Sequence, residues 1–294
     1  MYDRILIPVD GSDEATRAAR RGLDLAQRFD AAVDVLHVID RRSSTRTSDE
    51  QAQLRERGEA IVADIEALAK DVDRPVTTTV TDGSPAARIA RLASDYDAGL
   101  IVIGRQGITG IEKRLLGGVT EGVLHRSDIP VLVVPKDDHS AADTFDYDRL
   151  LVPTDGSTNA TSVAPHAGAV ARQYGATAHV LSVIDLQAAG GAFSAGGLEE
   201  SFVDRLEDES EAIVDELAAE IDTMAADIDI ETAVEKASLD GVAAKIREYV
   251  ATHEIDLIVM GSHGRSNLRR QLLGSVSGAV LRSVDVPMVI VTRS

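Results

Sequence analysis

The sequence predicts an α/β protein built as two tandem doubly wound parallel sheets, and three observations carry that prediction. A chain of 294 residues is long enough for two domains, each burying its own core. Short β-branched runs alternate with longer amphipathic stretches, the pattern of parallel strands joined by crossover helices. Four blocks also recur in the same order. Arg4–Ser12 returns as Arg149–Ser157 and Val35–Asp40 as Val180–Asp185, both 145 residues later. Leu100–Gly104 returns as Leu257–Gly261 and Ile129–Val133 as Val286–Ile290, both 157 residues later. A repeat of this kind decides the architecture before any single element does.

In the first copy the strands are expected near 4–9, 32–38, 76–81, 100–103 and 131–134, and the helices near 13–28, 50–71, 85–96 and 118–126. Ile5–Ile7 and Leu100–Ile103 are apolar without alternation, as in strands buried on both faces. Ile61, Ile65 and Leu68 recur at helical spacing and are expected to form one buried face. The second copy follows the same plan, with a long helix near 199–224. The polar stretch 136–143 reads as a linker, which places the domains at 1–137 and 146–294. The change of offset from 145 to 157 puts twelve extra residues between the second and fourth strands of the second copy. Much of that insertion is assigned to the Gly- and Ala-rich segment 186–198.

Composition narrows the function. No apolar run reaches the roughly 18–20 residues needed to cross a bilayer, and no secretory leader is recognised, so a cytoplasmic protein is expected. The absence of cysteine excludes disulfides, zinc–thiolate sites and thiol catalysis. A net charge of −19 repels phosphate backbones and anionic membranes, which argues against nucleic-acid and membrane partners. The excess is uneven, with 19 basic against 24 acidic residues over 1–140 and 11 against 25 over 141–294. A solvated acidic surface accounts for it, and a salt-adapted, halophile-like source is a reading of equal weight.

Ligands of open α/β sheets sit at the carboxyl ends of the strands where the winding reverses, and two loops in each copy fit that place. The first follows strand one: Pro8-Val9-Asp10-Gly11-Ser12, and Pro153-Thr154-Asp155-Gly156-Ser157. Taken alone it is a turn with a helix cap at Ser12 or Ser157. The second follows strand four: Gly261, two residues, Gly264, nine residues, then Gly274-Ser275-Val276-Ser277. Glycine lets a ligand approach the main chain, and a helix starting at Gly274-Ser275 turns its unpaired N–H groups toward the loop, an arrangement suited to phosphate. The hydroxyls of Ser275 and Ser277 are candidates to add hydrogen bonds to phosphate or to a cation.

This glycine spacing, beside the matching Asp loop, resembles the nucleotide loop of the ATP-binding universal stress proteins, and the resemblance spans nearly the whole chain. It implies five-stranded sheets of order 3-2-1-4-5 with helices on both faces, and a bound ATP, or AMP or ADP. It also implies an Asp after strand one that contacts ribose or a cation, and a last residue of strand two that frames adenine. Carried onto this sequence, the second-copy positions are Asp155, Val183, Gly261, Gly264, Gly274, Ser275 and Ser277. Those of the first copy are Asp10, Val38, Gly104, Gly107, Gly117 and Thr120. Asp155 and Asp10 are the candidate ligands of a phosphate-bound Mg²⁺ or Mn²⁺. The first copy departs from the pattern, with Gly118 in place of a hydroxyl residue and Arg105-Gln106 in place of Ser262-His263. Arg105 either compensates by charge or is a solvated loop residue. The two sites are therefore expected to be unequal.

The other conspicuous residues carry less. Seven histidines are scattered without ligand spacing, and only His263 falls in a candidate site, as a loop hydrogen bond or a phosphate contact. Arg265, Arg269 and Arg270 read as a salt-bridged loop or as a phosphate or subunit contact. The run Glu207-Asp208-Glu209 reads as a solvated helix face. The chain has no Walker loop, no Gly-x-Ser-x-Gly elbow and no His-Glu-x-x-His, so dedicated catalysis is not expected, although slow ATP turnover is a rival reading. The expected function is a regulatory protein that binds adenine nucleotide and signals to an unknown protein partner. Its other rival is a ligand-free scaffold with degraded sites. Two structural expectations follow. The apolar fifth strands Val131–Val134 and Met288–Val291 would pair as an internal pseudo-dimer, with a further homodimer an open alternative. The segment 186–198, carrying Phe193, is either a lid over the second site or a plain connector.

Overall fold

A computed structural model describes residues 1–40, 47–71, 75–107, 115–136, 145–187, 200–264 and 273–292. The chain divides into two compact units, Met1–Phe145 and Asp146–Arg293. The expected linker, apart from Lys136, falls almost wholly on 137–144, outside the described residues, as do residues 188–198 of the insertion with Phe193, and Arg265, Arg269 and Arg270.

The first unit runs β1 (Arg4–Pro8), α1 (Asp13–Phe29), β2 (Ala32–Asp40), α2 (Ser48–Leu68), β3 (Val76–Gly83), α3 (Pro85–Asp95), β4 (Leu100–Gly104), α4 (Gly118–Arg126) and β5 (Val131–Val134). All neighbours are parallel, in the order β3-β2-β1-β4-β5. Helices α1 and α2 pack together, and so do α3 and α4, which gives a helix layer on each face. The non-alternating runs are buried on both faces: Ile5, Leu6, Ile7, Ile101 and Val102 are fully inaccessible. Helix α2 begins at a capping box, in which Thr47 Oγ1 accepts from Glu50 N–H and Glu50 Oε2 accepts from Thr47 N–H. Its buried stripe runs through Val62, Ile65 and Ala69, while Leu68 is 39% exposed. The expected face through Ile61, Ile65 and Leu68 is thus turned by about one residue, because 62, 65 and 69 also satisfy the 3.6-residue period.

The second unit runs β6 (Arg149–Thr154), α5 (Thr158–Thr161), α6 (Ala164–Tyr174), β7 (Thr177–Ile184), α7 (Glu200–Met224), β8 (Ile230–Lys236), α8 (Val242–Thr252), β9 (Leu257–Gly261), α9 (Ser275–Ser283) and β10 (Met288–Val291). Its parallel order is β8-β7-β6-β9-β10, the same winding as in the first unit. One departure is local. The single helix α1 corresponds here to two, α5 and α6, because Pro165 stands near the start of α6. Proline has no N–H, and its ring collides with the carbonyl four residues back, so a continuous helix cannot pass it.

The twelve extra residues enter at three places rather than one. Ile61 packs on Gly11 and Ile213 on Gly156, so the long helix is already displaced by seven beyond the strand offset. The pairings Val33↔Val76 and Ala178↔Ile230 add two more before β8. The remaining three lie between β8 and α8, where Leu239 is 90% exposed. In the acidic run, Asp208 and Glu209 are exposed, whereas Glu207 is half-buried and pairs with Lys236 Nζ.

Candidate functional site

In each unit the winding reverses between strand one and strand four, so the carboxyl ends of β6 and β9 open a crevice in the second unit. The chain leaves β6 through Gly156, whose φ of 71° makes the turn, and enters α5 at Ser157. Ser157 Oγ accepts from Ala160 N–H at 3.3 Å, and Asp155 Oδ1 accepts from Ser157 N–H at 3.0 Å. The capping reading of this loop is thus met by the Ser157 hydroxyl, while the Ser157 backbone N–H holds Asp155.

The chain leaves β9 at Gly261 and closes its loop when Gly274 N–H donates to Ser262 O at 2.8 Å. Gly274 is the N-cap of α9 and supplies no side-chain cap. The first turn of α9 closes with Gly278 N–H on Gly274 O, so helical geometry leaves the N–H groups of Ser275, Val276 and Ser277 without intrahelical acceptors. Those amides and the positive end of the helix dipole favour an anion. A Cβ at Gly274 would press on His263 Cα and Ser262 O at 3.3 Å, so a side chain there would push on the backbone that closes the loop.

Between these loops lies a cavity of ≈ 300 Å³. Its lining joins the apolar side chains of Leu181, Val183, Val242, Ile246 and Met260 to Asp155, His263, Gly264 and the start of α9. Every second-copy residue expected from the sequence lines it: Pro153, Asp155, Val183, Gly261, Gly264, Gly274, Ser275 and Ser277. Two details correct the expectation. Strand β7 continues to Ile184, so Val183 lies one residue inside its end. Ser277 Oγ donates to Gly261 O at 2.9 Å and is 3% exposed, so that hydroxyl ties α9 to β9. Ser275, by contrast, is exposed at the first turn. Met260, Leu181, Val242 and Ile246 were not singled out by sequence. Their signals were ordinary strand and helix spacings, i,i+2 for Leu181 and Val183 and i,i+4 for Val242 and Ile246.

The first copy has the same frame. Ser12 caps α1, and Asp10 Oδ1 accepts from Ser12 N–H and Ser12 Oγ. Gly107 lies against the Asp10 carboxylate, Gly117 N–H donates to Arg105 O, and Thr120 Oγ1 donates to Gly104 O at 2.8 Å. Pro8 ends β1, while Val38 lies two residues inside the end of β2. The difference is in the loop after β4. Arg105 is 2% exposed, so it is not a solvated loop residue, and Gln106 is 8% exposed. Gln106 N–H donates to Glu14 Oε2 at 2.8 Å, and Gln106 Nε2 donates to Leu115 O.

His263 Nδ1 lies 3.1 Å from Ser262 Oγ, a hydrogen bond within the loop. Two histidines far apart in sequence, His179 and His253, meet around Tyr249 away from the cavity, and burial lowers the pKa of His179. Among the described residues no three His, Asp or Glu side chains are placed to hold a metal by themselves. A cation at Asp155 would share its coordination with a ligand's oxygens. Among the described residues no helix is long and apolar enough to cross a membrane.

The model of the Universal stress protein family matches residues 1–135 and again 146–292. The chain belongs to the universal stress protein family. Both copies of this universal stress protein carry the family's match, so it is a tandem member. A universal stress protein of Methanocaldococcus jannaschii is 34% identical over 142 residues, which are 46% of this chain and 84% of that one. The crystal structure of a universal stress protein from Archaeoglobus fulgidus shares the fold, with a TM-score of 0.71 and 22% identity over 99% of this chain and 96% of that one. A protein of unknown function from Pseudomonas aeruginosa shares it as well, with a TM-score of 0.68 and 17% identity over 99% and 93% of the two chains.

Proposed function

We propose that this universal stress protein binds an adenine nucleotide, ATP foremost, in the cavity of its second copy, and that occupancy is what it reports to a protein partner. The observation that carries this reading is the polarity of the cavity. Apolar side chains that suit a flat base line the same cavity as the glycines and the first amides of α9, which suit an anion. The volume, ≈ 300 Å³, is at the lower end of the range for small-molecule sites. Asp155 lines the same cavity, where a carboxylate suits a ribose hydroxyl or a phosphate-bound Mg²⁺ or Mn²⁺. Binding without dedicated catalysis is part of the proposal.

The direct experiment is mass spectrometry of small molecules released from purified protein, followed by calorimetric titration with MgATP. Release of ATP, ADP or AMP, or saturable MgATP binding, supports the reading. Protein that carries no nucleotide and gives no binding heat at millimolar MgATP overturns it.

A further inference from the structure

Strand β7 and helix α8 meet along a line that starts at the cavity and runs toward the amino end of β7. On the strand that line holds His179, Leu181 and Val183, which alternation puts on one face. On the helix it holds Val242, Ile246, Tyr249 and the cap residue His253, spaced i, i+4, i+7 and i+11 along one stripe. Leu181, Val183, Val242 and Ile246 line the cavity. The remaining three form an aromatic stack. The His253 ring lies on Tyr249 at 3.8 Å, and Tyr249 meets His179 edge-on at 6.0 Å. His179 is 4% and Tyr249 5% exposed. His179 Nδ1 lies 3.2 Å from the Tyr249 hydroxyl and 3.5 Å from Glu231 Oε2. Among the described residues Nδ1 is the acceptor that this buried hydroxyl reaches.

The groups that act on the His179 ring are Glu231 of β8, Tyr249 and His253 of α8, and Arg149 of β6. Arg149 donates to Glu254 Oε2 at 2.9 Å and to His253 O. Glu235 of β8, paired with Lys245 Nζ at 3.8 Å, acts on Tyr249. Burial holds the His179 pKa below its ordinary 6.5, against the pull of Glu231. The ring is therefore neutral at neutral pH and charges on acidification. The first copy is built differently at this corner. At the matching offsets Arg4, Asp34 and Leu92 stand for Arg149, His179 and Tyr249. There Arg4 Nη1 meets Asp34 Oδ2 at 2.8 Å, an ion pair without an imidazole.

We propose that His179 and Tyr249 are positioning residues of the second copy's site, holding α8 against β7 while the imidazole is neutral and releasing it when the imidazole is protonated. The inference rests on the reading that this cavity takes MgATP, and it makes binding sensitive to acidification. In the neutral ring Nδ1 accepts the Tyr249 proton. A proton taken from solvent onto Nδ1 turns that nitrogen into a donor, and the Glu231 carboxylate is its stronger partner. The Tyr249 hydroxyl then loses its acceptor inside the protein, a cost that is relieved by movement of α8. Val242 and Ile246 move with the helix, because they are on the same stripe, so the apolar wall of the cavity loosens.

The test is calorimetric titration with MgATP at pH 7.5 and pH 5.0 on wild type, His179→Gln and Tyr249→Phe, with circular dichroism as a check of folding. Proton uptake by the nucleotide and by other groups is common to all three, so the differences isolate this pair. Between the two pH values wild type is expected to lose roughly three- to tenfold more affinity than His179→Gln, the value of one hydrogen bond. Tyr249→Phe should bind several-fold more weakly at pH 7.5 and share the flatter pH profile. The coupling is reciprocal, so MgATP should move the titration midpoint of the His179 ring, followed by NMR in wild type, to lower pH by the same factor. That measurement decides where a variant does not fold. Equal affinity losses in wild type and His179→Gln, or a midpoint that MgATP leaves in place, overturn this inference while the nucleotide reading stands. Binding by none of the proteins at either pH overturns both.

Discussion

Gly264 lies flat against the carboxylate of Asp155, so that a Cβ added at 264 would run into Asp155 Oδ2, while Oδ1 is held at 3.0 Å by Ser157 N–H. The two loops of the site are therefore fitted to each other, and glycine at 264 is required by the acid as much as by any ligand. Gly264→Ala is expected to displace Asp155 and weaken MgATP binding by roughly tenfold or more, the value of one hydrogen bond to a charged group. Asp155→Asn should weaken Mn²⁺-dependent binding similarly. Unchanged affinity in a titration of both variants would show that Asp155 takes no part.

The two serines of α9 should separate cleanly. Ser277 spends its hydroxyl on Gly261 O inside the protein, whereas Ser275 stands exposed at the mouth of the site. Ser277→Ala is expected to cost about 1 kcal/mol of stability in urea denaturation. Ser275→Ala should leave stability alone and lower MgATP affinity several-fold. The reverse assignment would contradict the described geometry.

Helix α6 ends at Gly175, whose φ is +68° and around which a Cβ would meet nothing. A side chain there meets only backbone strain, so Gly175→Ala should destabilise by about 1 kcal/mol. Gly175→Asn should cost less, since Asn and Asp tolerate this region. The first copy already shows the tolerance, with Asp30 at φ 61° at the matching helix end. Denaturant midpoints of the two variants provide the check.

Burial pushes the His166 pKa from its ordinary 6.5 down to about 4. The folded state then binds fewer protons than the unfolded state between those values, so stability falls as pH falls through that window and is fully restored above 6.5. The same direction holds for the buried His179. Thermal unfolding at pH 7.5 and pH 5.0 should show a lower Tm at the acid value, and His166→Gln should narrow the gap. An equal gap in both proteins would remove His166 as a cause.

The parts of this protein legible in its sequence are those written by local chemistry. Repeated apolar runs announced β1, β4, β6 and β9, and the glycine spacing announced Gly261, Gly264 and Gly274, because each is needed where it stands. Thr47-Ser-Asp-Glu50 carried a capping-box signature that places the start of α2 two residues earlier than its apolar period does. Pro165 likewise announced the break between α5 and α6, although the repeat pointed to one helix. Long-range contacts were not legible. Nothing near Glu14 in sequence announces that it meets Gln106, and Ser277 reads equally as a ligand or as a strut until Gly261 O is found beside it. The apolar wall of Met260, Leu181 and Ile246 has the spacing of any core.

Nucleotide binding in the second copy's cavity should depend on the closed glycine loop. Titration of MgATP into wild type, Gly274→Val and Gly117→Val tests this most directly. A Cβ at Gly274 would press on the backbone of Ser262 and His263, and one at Gly117 on that of Arg105 and Gln106, so each change disturbs one loop alone. Saturable binding is expected in wild type and Gly117→Val, and none in Gly274→Val. Binding that survives Gly274→Val and disappears in Gly117→Val would contradict it.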